Sequence, residues 1–532
     1  LIINQPRHSH YDIIILGSGP AGITTALELS KDPSLKIAVI ESGLLEPDPN
    51  IQSLANVQLH GDLPDDYFPM HTQRCFGGSS TIWGGFCGVL EKRAFTAQAW
   101  PIPYKELNRW YPAAARILEL PDDAYRQPTL AIEGTSELVY KPFYLSPPVR
   151  FSKKYHSFFQ HHPRVDLILG TTGSRLITRG RTVTALELRD SLAPRLSPTF
   201  VSADTFVLAC GGVGNPRMLQ LSDLVEQMPV GLGLMEHPHI YAVADMYLDR
   251  DRLPMSIEED PRVVYALQLS DSYCDENGVL SFSADFNLQQ MTPTVLLGKR
   301  REMLHTPVSI RAEMAPDFRN SVRDSDQRNY LGAPMPRVDF HYRYHDLARE
   351  SWHLLGEALL RSGVGRPSIM QPEFRVHDGG HLMGTTRMGL SAADSVVDSN
   401  CRVHTTDNLY VAGSSVFPAG GASNPTYTIV AMALRLGAHL ASTLKGNRSW
   451  IDAPYSSVSA LRLYGSASAV ALGLCATGTP LRAVTKPRPQ RHSGTNLLSS
   501  QTHCSATTRR AGLRTRSTQS WRTKASSRHT TE

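Results

Sequence analysis

The tightest constraint on this chain is a six-residue turn, Gly17-Ser18-Gly19-Pro20-Ala21-Gly22, set directly after the unbroken apolar run Ile13-Ile14-Ile15-Leu16. A run without polar alternation reads as a strand buried on both faces of a parallel sheet. The pattern after the turn predicts a helix over about Ala21 to Leu29, and a second apolar run, Ile37-Ala38-Val39-Ile40, closes a βαβ unit that ends in Glu41. Each glycine has a mechanical task. Gly17 permits the tight turn, Gly19 lets backbone approach a pyrophosphate, and Gly22 lets the helix pack on the strand, while the helix N-terminus faces the phosphate charge. Glu41 lies 19 residues beyond Gly22, where a carboxylate accepts both ribose hydroxyl hydrogens and repels a 2′-phosphate. A glycine triplet alone is any tight turn. The strand before it, the helix after it and the acid at this distance make it a dinucleotide site, with NAD and FAD both still open.

Two further apolar runs end in glycine: Phe206-Val207-Leu208-Ala209 before Gly211 and Gly212, and Leu409-Tyr410-Val411-Ala412 before Gly413. Three such ends, far apart in sequence, predict one sheet assembled from separated segments, hence an α/β fold. Between about 245 and 370, alternation along Val279, Leu280, Phe282, Ala284, Phe286 and along Val338, Phe340, Tyr342, Tyr344 predicts half-exposed antiparallel strands in a separate sheet on the substrate side.

The 532 residues suffice for two or three domains, and 41% hydrophobic content is enough for a large core. The formal charge of +5 is unevenly placed: from Leu461 to Glu532 twelve Lys/Arg face one acid, leaving 42 bases against 48 acids elsewhere. The basic excess therefore belongs to the tail, and no nucleic-acid surface is expected on the body. Past Leu444 Ser, Thr, Arg and small residues dominate, so residues 446–532 are expected to be a low-complexity, disordered tail. Seven scattered cysteines with no CxxC spacing argue against a disulfide framework or a metal site and suit a reducing, cytoplasmic setting. No apolar run reaches the roughly 18 residues of a membrane span, and the N-terminus lacks the order of a secretion signal. The start at Leu1 in place of Met is expected of a sequence with a leading segment missing.

The remaining motifs choose the cofactor. Arg74-Cys75-Phe76-Gly77-Gly78-Ser79-Ser80-Thr81-Ile82-Trp83-Gly84-Gly85, Ala209-Cys210-Gly211-Gly212-Val213-Gly214-Asn215-Pro216-Arg217, Glu236-His237-Pro238, His381-Leu382-Met383-Gly384-Thr385-Thr386-Arg387-Met388-Gly389, Val396-Val397-Asp398, Asn408 to Pro418, and Ser423-Asn424-Pro425-Thr426 occur in this order. Together they resemble the glucose-methanol-choline (GMC) oxidoreductases over about residues 10 to 445, most loosely in the middle. Within the family the chain looks closest to the pyranose and glucoside 3-dehydrogenase-like and cholesterol oxidase-like branches. The resemblance implies FAD on a discontinuous FAD-binding Rossmann-like domain (8–100, 165–244 and 375–445) and a substrate-binding domain on an antiparallel sheet (101–164 and 245–374). The cofactor contacts it implies are Gly17, Gly19, Pro20, Ala21, Gly22, Glu41, Ser42, Arg74, Gly77, Gly78, Ser79, Ser80, Trp83, Gly84, Ala209, Gly211, Gly413, Ser414, Asn424, Pro425 and Thr426. Ile82 stands where pyranose-oxidase-like and choline-oxidase-like members carry a histidine bonded to the flavin, so noncovalent FAD is expected. Gly413 and Ser414 stand where an acid is common in the family, which puts its ribityl contact in doubt.

Oxidising an alcohol requires removal of the hydroxyl proton and passage of the carbinol hydride to flavin N5. By the resemblance His381 is the base, and Asn424 hydrogen-bonds the same oxygen; asparagine cannot take the proton, so base work falls to His381 alone. Asn424 is also read as the N-cap, and Pro425 as the first residue, of an apolar helix from Thr426 to Leu440. Its positive end would stabilise negative charge on the ring by roughly 0.3–2 kcal/mol. His237, His239, His377 and His404 are read as structural, with His377 able to join the site four residues before His381. The function expected is oxidation of an alcohol or sugar hydroxyl, with a dehydrogenase preferred to an oxidase and oxygen, a quinone or a redox protein as electron acceptor. A redox-neutral, hydroxynitrile lyase-like enzyme and an inactive flavin-binding homologue are the alternatives.

Overall fold

The computed structural model describes residues 1–451 apart from 98–99, 122, 127–128, 253–261, 287–291, 296–301, 343–344, 371–375 and 378. Of the expected tail, 446–532, residues 446–451 instead continue the last helix, and those from 452 onward lie outside the described residues. The opening βαβ unit forms as its sequence dictates. Strand His10–Leu16 and strand Ile37–Ile40 pair in parallel, with helix Pro20–Leu29 between them. Ile13, Ile14 and Ile15 are almost fully buried, each stabilising the sheet by roughly 1.5–3 kcal/mol.

The three glycine-terminated runs do join one sheet. Strand Thr199–Leu208 pairs in parallel with His10–Leu16 on one side and with Leu409–Val411 on the other. Val165–Ile168 continues the parallel order beyond Ile37–Ile40, and Ile2–Ile3 adds the edge. At the opposite side Thr182–Asp190 and Thr171–Arg179 are antiparallel, making eight strands. Five parallel strands therefore end together, at Leu16, Ile40, Ile168, Leu208 and Val411. Ligands of open α/β sheets bind outside such carboxyl ends.

A second sheet of ten strands is antiparallel, with the path Gly365–Met370, His239–Asp249, Glu302–Ala312, Phe282–Phe286, Val263–Leu269, Thr135–Leu145 and Phe86–Cys87. The stretch around Phe282 enters it as expected, although Val279 and Leu280 precede the strand. The stretch around Val338 does not. Pro334–Phe340 pairs with Ser321–Arg328 and, in parallel, with Gln58–Gly61, forming a separate three-stranded sheet. Alternation reports burial on one face and not the identity of the neighbouring strand. Tyr344 lies outside the described residues.

The C-terminal helix starts where expected but is longer, Thr426–Ile451. It lies against Pro20–Leu29 so closely that a side chain at Gly437 would meet Glu28 Cβ at 2.7 Å. Among the described residues no helix is long and apolar enough to cross a membrane.

Candidate functional site

The carboxyl ends of the parallel strands open into a cavity of about 1010 Å³ that runs from the glycine turn to the face of the antiparallel sheet. The turn behaves as its spacing requires. Gly17 has φ +107°, and a side chain there would strike Ala209 O at 2.4 Å. A side chain at Gly22 would lie 2.0 Å from Gly17 O, so helix and strand meet only because that residue is glycine. At Gly19 nothing lies within 4 Å of where a Cβ would be. The open space there belongs to the cavity, and helix Pro20–Leu29 points its N-terminus into it, the arrangement an anionic pyrophosphate needs.

Glu41 is buried at the cavity wall, but its carboxylate is already engaged. Oε2 accepts from Ser18 N at 3.0 Å and Ser18 Oγ at 2.9 Å; Oε1 accepts from Gly43 N at 2.9 Å and Ser42 Oγ at 3.3 Å. With four lone-pair sites filled, a ribose hydroxyl at Glu41 must replace a serine hydroxyl. Arg74 donates to Ser42 Oγ at 3.0 Å, and burial draws its pKa down. Of the contacts expected for the cofactor, only Gly22 and Gly77 do not line the cavity. Gly22 sits behind the turn, as its packing role demands, and Gly77 (φ +95°) packs against Ser152. Ser414 lines it while donating to Leu382 O at 2.7 Å, and Ile82 lines it without offering a nucleophile.

At the other end the sheet register gathers polar groups. His239 pairs across strands with Arg311, and Asp285 with Ser309, which places His239, Arg311 and Asp285 on one face. Arg311 donates from Nη1 to Asn424 Oδ1 at 2.8 Å and forms an ion pair with Asp285. Its guanidinium also lies over the Phe86 and Phe143 rings, at 5.0 and 4.6 Å from their centroids. Burial raises the Asp285 carboxyl despite Arg311.

His381 and Asn424 meet at this end, with Asn424 Nδ2 3.3 Å from His381 Nε2. Burial, reinforced by His237, His239, Arg311 and His71, holds His381 well below its ordinary value, so the ring is neutral near pH 7. The Glu236 carboxylate accepts from the backbone N–H of Gly379 at 2.7 Å and from that of His381.

Several expectations need correction. His237 is not remote from His381: the two Nδ1 atoms lie 3.1 Å apart. His239 lines the cavity with its ring centroid 5.6 Å from that of His381. Neither spacing nor periodicity ties residues 237–239 to residue 381, and only the fold brings them together. His404 pairs instead with Ser395 Oγ at 2.9 Å, and the His377 side chain lies outside the described residues. Asn424 does not cap the last helix, which begins at Thr426; its amide is spent on Arg311 and His381. Arg311 and Asp285 escaped the sequence reading altogether, since they lie on strands with no motif around them.

Residues 316–433 match the model of the GMC oxidoreductase family, the segment that carries both His381 and Asn424. Over this segment the chain is similar to the GMC oxidoreductases, a family whose cofactor is FAD. Residues 6–46, the βαβ unit alone, also match the Thi4 family model. The chain is 26% identical over 510 residues to paromamine 6′-oxidase of Streptomyces fradiae, covering 82% of this chain and 92% of that protein. It is 30% identical over 265 residues to 6‴-hydroxyparomomycin C oxidase of Streptomyces lividus, spanning 47% of each. Pyranose 2-oxidase of Lyophyllum shimeji is 25% identical over 342 residues, 55% of this chain and 54% of that one. The crystal structure of pyridoxine 4-oxidase from Mesorbium loti superposes with a TM-score of 0.52 at 19% identity, over 81% of this chain and 99% of that one, a likeness of fold.

Proposed function

We propose that this GMC oxidoreductase oxidises a sugar or related polyol hydroxyl, with His381 as the base and Asn424 as the group that holds the reacting oxygen. The observation that carries this reading is the 3.3 Å approach of Asn424 Nδ2 to His381 Nε2 at the end of the cavity opposite the glycine turn. An alcohol oxygen placed between them accepts from the Asn424 amide and donates its hydrogen to His381 Nε2. FAD bound along the cavity supplies the hydride acceptor. The Gly17–Gly19 turn and the N-terminus of helix Pro20–Leu29 suit its pyrophosphate, and Gly78, Gly84, Gly211 and Gly413 give it backbone without side chains. With Ile82 in place of a histidine, FAD is held noncovalently, and acid precipitation should release it from the protein.

As the hydroxyl proton moves to His381 Nε2, the Asn424 N–H stabilises the alkoxide character left on oxygen. The Arg311–Asp285 pair favours a polyhydroxylated substrate. Among the described residues Asp285 Oδ1 and Arg311 Nε find no hydrogen-bond partner, and both residues line the cavity. Neighbouring hydroxyls of a sugar ring satisfy a donor and an acceptor side by side, which a simple alcohol cannot do. Several relatives are named for sugar substrates, in keeping with this choice. Anaerobic mixing with pyranosides, polyols and simple alcohols tests the reading. Sugars or polyols should bleach the flavin absorbance faster than simple alcohols. No bleaching by any of them would contradict oxidation and favour a redox-neutral or inactive flavoprotein.

A further inference from the structure

Arg311 has only N–H donors. Its Nη1 therefore donates to Asn424 Oδ1, which fixes the amide with Nδ2 turned toward His381. Nδ2 is also donor-only, so His381 Nε2 accepts, and the single proton of the neutral ring sits on Nδ1. That nitrogen faces His237 Nδ1 at 3.1 Å. A contact between two ring nitrogens needs one hydrogen, and here His381 provides it. His237 Nδ1 is then the acceptor, and its own proton resides on Nε2. The backbone at Gly420 and Gly421 favours a proton on His237, although among the described residues no hydrogen bond of regular geometry forms at Nε2. The opposite polarity fails, because it would set an N–H of His381 against the N–H of Asn424.

We propose that His237 is a positioning residue of the reaction: by accepting the Nδ1 proton it locks His381 in the tautomer whose Nε2 lone pair faces the substrate hydroxyl. The inference rests on the proposed role of His381. Tautomer control of this kind decides whether an imidazole can act as a base at all. The local backbone is built for the contact. Glu236, beside His237 in sequence, holds the backbone of Gly379 and His381. Gly379 leaves the space in which the rings meet, since a Cβ there would lie 2.9 Å from His381 Nδ1 and 2.8 Å from His239 Nε2. When the hydroxyl proton arrives at Nε2, the Nδ1–H to His237 stays in place, and no second proton has to move.

Nitrogen-15 spectra of the histidine-labelled protein read the tautomers directly, with signals assigned by their loss in His381→Ala and His237→Gln. The expected result is a protonated Nδ1 on His381 and a protonated Nε2 on His237; a protonated Nε2 on His381 overturns the proposal. Two variants supply the kinetic test. In His237→Gln an amide oxygen accepts the Nδ1 hydrogen and the NH₂ replaces Nε2–H, so flavin reduction by substrate stays near the wild-type rate. His237→Leu leaves that hydrogen buried without an acceptor and should slow reduction by about tenfold or more, with KM and flavin content little changed. Equal rates, or equal losses, in the two variants contradict a positioning role. A wild-type enzyme that no sugar or alcohol bleaches removes the oxidative reading instead, while the tautomer spectrum still stands or falls by itself.

Discussion

Burial pushes the His237 imidazole down to about 4, from an ordinary value of 6.5. Between those two values the unfolded chain binds a proton that the folded chain refuses. This contribution to stability is therefore fully present above pH 6.5, declines as the pH falls from 6.5 to about 4, and levels off below. At 1.36 kcal/mol per unit the loss from this one residue is about 3 kcal/mol. His381, lowered for the same reason, adds a loss of the same sign. Denaturant titrations at a series of pH values should show this acid sensitivity, and His237→Gln should flatten it. An unchanged slope in that variant would mean that the histidine is not buried in its neutral form.

At the scale of elements, the glycine turn was legible because its demands are local. A φ of +107° at Gly17, the closeness of helix to strand at Gly22 and the free space at Gly19 all act within a few residues. Gly22→Val should force helix Pro20–Leu29 off its strand, costing about 1–3 kcal/mol and lowering the FAD retained on purification; a full flavin-to-protein ratio would contradict this. The antiparallel sheet was legible as alternation but not as pairing. Nothing near Val338 in sequence announces that its neighbours are Gln58–Gly61 and Ser321–Arg328. Likewise Arg311, Asp285 and His239 become one polar face only through cross-strand register, and register is set by the whole sheet. His381 and Asn424 could be read because they sit inside recognisable segments. Arg311, Asp285 and His239 sit outside those segments, whereas His237 stands in one, Glu236-His237-Pro238, that by itself assigns it no role.

Across the whole molecule, the site depends on bringing the two large sheets together. Lys141, on the antiparallel sheet, is fully buried and bonds Val89 O at 2.8 Å, Glu91 and Ser423, the residue before Asn424. Burial alone would raise the Glu91 carboxyl, but Lys141 outweighs it and leaves it below its ordinary value. Glu91→Ala strands the lysine charge and should cost about 3–5 kcal/mol, read as a fall in the urea midpoint; an unmoved midpoint would mean that Glu91 is not the counter-charge on which the buried lysine depends. The same junction carries Asn424 to His381, on which the functional account depends. The most direct measurement is anaerobic single-turnover flavin reduction in His381→Ala with a sugar that bleaches the wild type. Full FAD content and a rate lower by about 10² or more are expected. An undiminished rate in that variant would contradict it.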